Sequence, residues 1–285
     1  MVVLDGKEFS LKFKNELKEK VSVLNEKYGI LPGLAVVIIG NDPASEIYVR
    51  NKIKGAEYVG IKSTTVKLDE SVSQEEAELA VETLANDDSI DGIIVQLPLP
   101  KKFDSQKILG KIPTNKDVDG LCAENLGKLL LGEETLISCT PYGIIELLKG
   151  YGIDFNGKNA VVLGRSNMVG KPISLLLQKE NCTVTMCHSK TKNLKEFTKN
   201  ADILVAAIGR ANFVTSDMVK KDAIVVDVGI NRVDGKIYGD VDYVNVKDLC
   251  SYITPVPGGV GPMTVTMLLN NSFIACLRNH NIDEF

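Results

Sequence analysis

The sequence predicts an α/β protein made of two parallel-sheet domains, each an αβα sandwich. Apolar runs such as LAVVII at 34–39 and AVVL at 160–163 show no polar alternation, so both faces of those strands must be covered. Segments of helical period separate the runs, the pattern of parallel strands joined by crossover helices. The alternation occurs twice, once before residue 120 and again after 150, and 285 residues are enough for two modest domains.

In the first half, residues 9–28 place Phe13, Leu17, Val21, Leu24 and Tyr28 on one helical stripe. The lysines around them alternate with Glu8, Glu16, Glu19 and Glu26, which reads as a solvated face. Strands are expected at 34–39, 61–67 and 92–96, with helices at 44–58 and 73–86; Ser73 followed by Glu76 is a capping-box signal. The domain boundary is placed near 120. Residues 121–150 carry two short helical patterns around a break at Thr140-Pro141. Strands follow near 159–163, 182–187, 202–207 and 223–228. The last segment aligns Val265, Leu268, Leu269, Phe273, Cys276 and Leu277 on one face. The expected division is therefore 1–120 and 121–263, with 264–285 packing back onto the first domain.

Composition removes several function classes. A formal charge of −4 argues against a protein that coats nucleic acid. No apolar run approaches the roughly 18 residues of a membrane span, and MVVLDGKEFSLKFK lacks the layout of a secretory signal. Six cysteines without a Cys-x-x-Cys pair read as free, mostly buried thiols in a reducing cytoplasm. With only His188 and His280, a three-histidine zinc site is impossible. Chemistry here must run on lysine, tyrosine, carboxylate and amide groups, and no metal ligand is assigned.

The run AVVLGRSNMVGKPIS at 160–174 delivers a glycine turn to a helix N-terminus. It is not a triphosphate loop: Gly164 and Gly170 are separated by five residues, and Pro172 replaces the hydroxyl that would bind Mg²⁺. A dinucleotide turn remains, beside the plainer reading of an ordinary strand–turn–helix. Gly164 suits the tight turn, Gly170 a close helix–strand approach, and Pro172 a first helical turn that needs no N–H. An NAD-selective site usually carries an acid at the end of the next strand. This chain has Cys187-His188-Ser189-Lys190 there, with Arg165 in the turn and Lys192 nearby. That favours NADP, although Lys190 and Lys192 are equally consistent with a solvated loop, and loop conformation decides which charges reach the ribose.

In the first half, Tyr48 and Lys52 are four apart and share a helix face, a spacing also common in surface contacts. GIIVQLPLP sets Gln96 at a strand's carboxyl end, where ligands of open α/β sheets bind. KDVDG at 116–120 carries Asp117 and Asp119; its glycine arrives too early for a calcium loop, and Lys128 stands where the ligating Glu belongs.

Taken together and in order, SEIYVRNKIKGAEYVGI, VQLPLP, KDVDGL, CTPYGIIELL, GRSNMVGKP, CHSKT, VDVGIN and PVPGGVGPMT resemble the bifunctional methylenetetrahydrofolate dehydrogenase/cyclohydrolase family over nearly the whole chain. One departure is Ser138, where the family commonly has proline before the CTP run. The resemblance implies a substrate domain and a Rossmann-like NADP domain flanking a cleft, usually as a cytoplasmic homodimer acting on tetrahydrofolate derivatives. It implies that Tyr48, Lys52, Gln96 and Asp119 form the folate site, and that Gly164, Arg165, Ser166, Ser189 and Ile230 contact NADP. The PVPGGVGPMT run, 255–264, would close the cleft. Lys52, its pKa lowered by burial, would move protons during hydrolysis. Gln96 would hold its amine without adding charge, Tyr48 would stack on the folate with its hydroxyl near Lys52, and Asp119 would anchor the pterin. Two rivals remain at this point: a carbonyl reductase using Lys52 and Asp119 on a hydroxy acid, and a non-catalytic NADP sensor.

Overall fold

The structure, a computed structural model, describes residues 1–283, the side chain of Ala44 excepted. The chain divides into two compact units. One contains 12–139 and the chain from Val265 onward; the other contains Met1–Leu11 and Thr140–Thr264.

In the unit built on 12–139, the strand Gly33–Ile39 is buried along its whole length because it is the middle strand, with Lys62–Leu68 on one side and Gly92–Val95 on the other, all parallel. Lys62–Leu68 is an edge and alternates in exposure, as its lysines and threonines require. Ala77, Val81 and Leu84 of the helix Gln74–Ala85 pack on this sheet with Val37, Ile93 and Val95. That helix starts with the capping box expected from sequence: Glu76 N donates to Ser73 Oγ at 3.1 Å and Ser73 N to Glu76 Oε2 at 2.7 Å. The helix Pro43–Val59 opens with Asp42 accepting from Ser45 N at 2.8 Å and ends at Gly60, whose φ of 86° terminates it.

The other unit holds a six-stranded, wholly parallel sheet in the order Val2–Val3, Cys250–Ile253, Ala223–Asp227, Ile203–Ala206, Asn159–Leu163, Thr183–Cys187. Asn159–Leu163 lies between the two strands that follow it in the chain, Thr183–Cys187 and Ile203–Ala206. Chain direction across the sheet therefore reverses beside it, the switch point at which α/β sheets bind ligands. Val161, Leu204, Val225 and Ile253 share the core beneath. Beyond the four expected strands the structure adds Val2–Val3 at one edge of the sheet, Cys250–Ile253 beside it, and an antiparallel hairpin, Asn231–Val233 with Lys236–Tyr238.

Three sequence expectations change. Thr140-Pro141 is not a break: Pro141 lies in the first turn of the helix Cys139–Gly150, where no backbone N–H is needed. Residues 121–139 group with the first half rather than the second, and Met1–Leu11 with the second rather than the first, through the pairing of Val2–Val3 with Tyr252–Ile253. Within 121–139, Asn125 donates to Thr114 O at 3.1 Å and to Asp117 Oδ2 at 2.9 Å, and Leu136 is fully buried. Finally, the helix Val260–Asn279 is long and apolar enough to cross a membrane. Its apolar character serves burial instead, since Met263, Met267, Leu268, Leu269, Phe273 and Cys276 are all core residues.

Candidate active site

The helix Pro43–Val59 presents Tyr48 and Lys52 one turn apart, but their environments differ sharply. The Tyr48 ring is exposed at 38 %, while Lys52 is buried at 9 %. Lys52 meets Gln96, the residue that follows the buried strand Gly92–Val95: Lys52 Nζ donates to Gln96 Oε1 at 2.8 Å. Gln96 is itself fixed, because its Nε2 donates to Leu97 O at 2.6 Å. The amide oxygen is thereby turned toward the amine. The Tyr48 hydroxyl, expected near Lys52, has no hydrogen-bond partner among the described residues, which leaves its ring free to receive a ligand.

Asp119 completes the group. It follows an isolated bridge between Asp117 and Ile93, which ties this loop to the sheet. Asp119 keeps some exposed surface yet sits amid dense protein. Burial pushes the Lys52 amine down from the ordinary lysine value, with Asp119 and Cys139 pulling it partly back. The same burial pushes the Asp119 carboxyl up, opposed by Lys52 and reinforced by Asp117. Desolvation thus drives both partners toward their neutral forms.

Sequence reasoning missed the residues that brace this corner. Asn271, on the C-terminal helix, donates through Nδ2 to Val118 O at 2.9 Å and Ile137 O at 2.8 Å. Cys139 donates its thiol to Val118 O at 3.3 Å, and its pKa is raised by burial and by Asp119. Asp117 is occupied structurally, its Oδ2 accepting from Cys122 N and Asn125 Nδ2 at 2.8 and 2.9 Å. Cys139 lies inside the quoted CTP run, so a signal existed; Asn271 had none. At the carboxyl ends of the strands in this unit, Ile39, Gly40, Asn41, Glu70 and Pro98–Pro100 line an open cavity of about 420 Å³.

In the six-stranded unit, every residue assigned to the cofactor lies past a strand's carboxyl end. Gly164 follows Asn159–Leu163 with φ 123°, a conformation that favours glycine. A Cβ there would meet Ala207 O at 2.3 Å, and one on Gly170 would meet Gly164 O at 2.4 Å, so strand and helix touch through bare backbone. Ser166 Oγ accepts from Val169 N at 3.1 Å and Gly170 N at 3.3 Å, capping the helix Gly170–Lys179 while keeping its hydroxyl proton available. Arg165 is exposed, and its guanidinium has no partner among the described residues. Ser189 is exposed in the turn that His188 N and Thr191 Oγ1 close at 2.9 Å. Ile230 is a large apolar side chain at 47 % exposure, beyond the strand Ala223–Asp227.

A second bracing system was also missed. Asp240 accepts from Ile208 N, Gly209 N, Arg210 N and Asn231 Nδ2 at 2.7–3.0 Å, pinning two strand-end loops. Asp227 accepts in turn from Gly229 N, Asp240 N and Val241 N. Its pKa is nonetheless raised by burial to about 6.

Residues 4–119 match the family described as tetrahydrofolate dehydrogenase/cyclohydrolase, catalytic domain, and residues 138–280 match its NAD(P)-binding domain. The chain belongs to the tetrahydrofolate dehydrogenase/cyclohydrolase family. A relative from Chlorobium chlorochromatii, named bifunctional protein FolD, is 54 % identical, the match covering 95 % of this chain and 97 % of that one. The structure of the bifunctional enzyme FolD, methylenetetrahydrofolate dehydrogenase/cyclohydrolase, from Campylobacter jejuni superposes with a TM-score of 0.96 at 50 % identity, covering 98 % and 99 % of the two chains. The Trypanosoma brucei dehydrogenase-cyclohydrolase, solved with NADP cofactor and an inhibitor, gives 0.93 at 37 % identity and covers 98 % of each chain. Membership of the tetrahydrofolate dehydrogenase/cyclohydrolase family sets aside both the hydroxy-acid reductase and the non-catalytic sensor.

Proposed function

We propose that Lys52 is the proton carrier of a bifunctional enzyme, and that the buried 2.8 Å contact between its amine and the Gln96 amide oxygen is what fits it for the task. The protein oxidises 5,10-methylenetetrahydrofolate with NADP⁺ to the 5,10-methenyl compound and hydrolyses that to 10-formyltetrahydrofolate. NADP⁺ supplies the hydride acceptor. The glycine turn from Gly164 to Gly170 and the Ser166 hydroxyl, at the start of the helix Gly170–Lys179, fit a pyrophosphate. Arg165 and Ser189 offer charge and a donor for the 2′-phosphate, with no acid beside them in either turn. Ile230 offers an apolar surface for a flat ring.

Loss of hydride from the bridge carbon leaves a cation shared by two nitrogens, so this step needs alignment and no base. Asp119 supplies the alignment by accepting hydrogen bonds from the pterin, and the exposed Tyr48 ring stacks on it. Hydrolysis is different. Water attacks the methenyl carbon and gives one proton to the neutral Lys52 amine. As the carbon–nitrogen bond breaks, the ammonium returns that proton to the departing ring nitrogen, and the remaining hydroxyl proton leaves to solvent as the formyl carbonyl forms. An amine that donates one N–H to Gln96 has its lone pair directed away from that contact and available to the water.

The enzyme acts as a cytoplasmic homodimer feeding one-carbon units to processes such as purine biosynthesis. Its six free thiols, five of them buried, support a reducing compartment. Exposed Val233 and Ile237 on the hairpin and Val244 nearby support pairing of two copies. Methylenetetrahydrofolate and NADP⁺ with the purified protein test the reading. Reduced nicotinamide and a transient methenyl species are expected; reduction without onward hydrolysis would overturn the second activity.

A further inference from the structure

The C-terminal helix ends beside the start of the strand Gly92–Val95, and three ligating side chains converge there, at the opposite end of that strand from Gln96. Cys276 and His280 are four apart, and the bond from His280 N to Cys276 O at 3.0 Å continues the helical turn, so both project to one side. Opposite them is Asp91. One ligand atom from each of the three lies within 4.8 Å of the other two, and His280 Nε2 is already 3.5 Å from Asp91 Oδ1.

We propose that Asp91, Cys276 and His280 bind one divalent ion of the zinc class, with water as the fourth ligand. One thiolate, one imidazole and one carboxylate form a borderline-soft donor set that suits zinc, cobalt or cadmium rather than magnesium or calcium. Ligands at about 2.0–2.3 Å from a tetrahedral centre stand roughly 3.3–3.7 Å apart. The carboxylate–imidazole edge already has that length, and the thiol lies within 4.8 Å of both partners. The carboxylate is held by its outer contacts: Oδ2 accepts from Gly33 N at 2.9 Å, leaving Oδ1 toward the two side chains. Asn279 Nδ2 also reaches Asp91, at 3.3 Å to its carbonyl and 3.4 Å to Oδ1.

Asp91 and Cys276 are buried, while the His280 side chain is 36 % exposed and provides the route for an ion and its water. Without metal the site rests as a hydrogen-bonded group, burial and Asp91 keeping the Cys276 thiol protonated. Binding breaks the S–H bond, forms the metal–sulfur bond and releases that proton to solvent. The ion would then fasten the end of the helix that carries Asn271, whose amide braces the backbone at Val118, next to Asp119, and at Ile137. The site is thus a staple for the folate-binding unit, outside the chemistry itself.

The reduced, chelator-stripped full chain is titrated with cobalt(II). A thiolate-to-cobalt charge-transfer band saturating at one ion per chain, and displaced by zinc, is expected. His280→Gln changes an exposed side chain, so the protein should keep its fold and its dehydrogenase activity while losing at least about tenfold in cobalt affinity. Zinc should raise the melting temperature of the unaltered protein and not of this variant. Cys276→Ser should abolish the band. Absence of the band, its survival in Cys276→Ser through the partly exposed Cys122, or equal affinity in His280→Gln would overturn the assignment.

Discussion

Replacing Gln96 by glutamate exchanges a neutral amide oxygen for a carboxylate oxygen of nearly the same shape. The change falls 2.8 Å from the Lys52 amine, and at an effective dielectric constant of about 20 two unit charges at that distance attract by about 6 kcal/mol. Spent on the ammonium form alone, that energy would raise the lysine pKa by about four units. Burial of the new carboxylate reduces the figure, but its sign opposes the desolvation that holds Lys52 below its ordinary value. A lysine locked as ammonium accepts no proton, so Gln96→Glu should slow methenyl hydrolysis by about 10²–10⁴, the usual worth of a general acid–base group. Hydride transfer needs no base and should fall far less. Loss of methenyl absorbance and appearance of reduced nicotinamide, each followed from pH 6 to 9, separate the two steps. The sign is fixed: hydrolysis in the unaltered enzyme rises with pH through the lowered lysine pKa, and the variant's rise moves to higher pH. Hydrolysis that survives with its pH profile unmoved would refute the role of the neutral amine.

Three further outcomes follow from the same geometry. Asp119→Ala should raise the Michaelis constant for folate and damage both activities together, since it removes the pterin anchor; steady-state kinetics on both substrates would show it. Arg165→Ala should raise the Michaelis constant for NADP at least about tenfold, the worth of a charge-assisted bond, with little change for NAD; equal shifts would remove Arg165 from the 2′-phosphate. For Asp227, burial lifts the carboxyl from 3.8 to about 6. Between those values the folded state holds more protons than the unfolded one, so this group's contribution to stability falls as pH rises through the window, by about 3 kcal/mol. Carboxyl ¹³C titration should place Asp227 near 6, and a midpoint below 4 would mean that its three backbone donors outweigh burial.

Much of this was legible in the residues. Gly33–Ile39 and Asn159–Leu163 announce themselves as buried parallel strands because they are apolar without alternation. The Ser73–Glu76 box and the glycine pair at 164 and 170 carry their geometry in their chemistry. Gln96 could be paired with Lys52 through the family resemblance, and its place past a strand's carboxyl end agrees with that pairing. Contacts across long stretches of chain were not legible. Val2–Val3 pairs with Tyr252–Ile253, but two residues are too few to show a period. Asn271 reaches Val118 across 153 positions, from a helix whose apolar stripe gave no reason to single out one amide. Cys276 read as one more core thiol, since nothing local showed that Asp91 would face it. Thr140-Pro141 misled because proline breaks a helix interior yet suits a first turn.

The central claim is that one buried amine serves hydrolysis and is dispensable for hydride transfer. Lys52→Met keeps the length and apolar stem of the side chain and deletes only the amine. Measured side by side on one preparation, methenyl hydrolysis should vanish while NADP⁺ reduction by methylenetetrahydrofolate persists. Equal loss of the two rates, or hydrolysis that continues without the amine, would contradict the account.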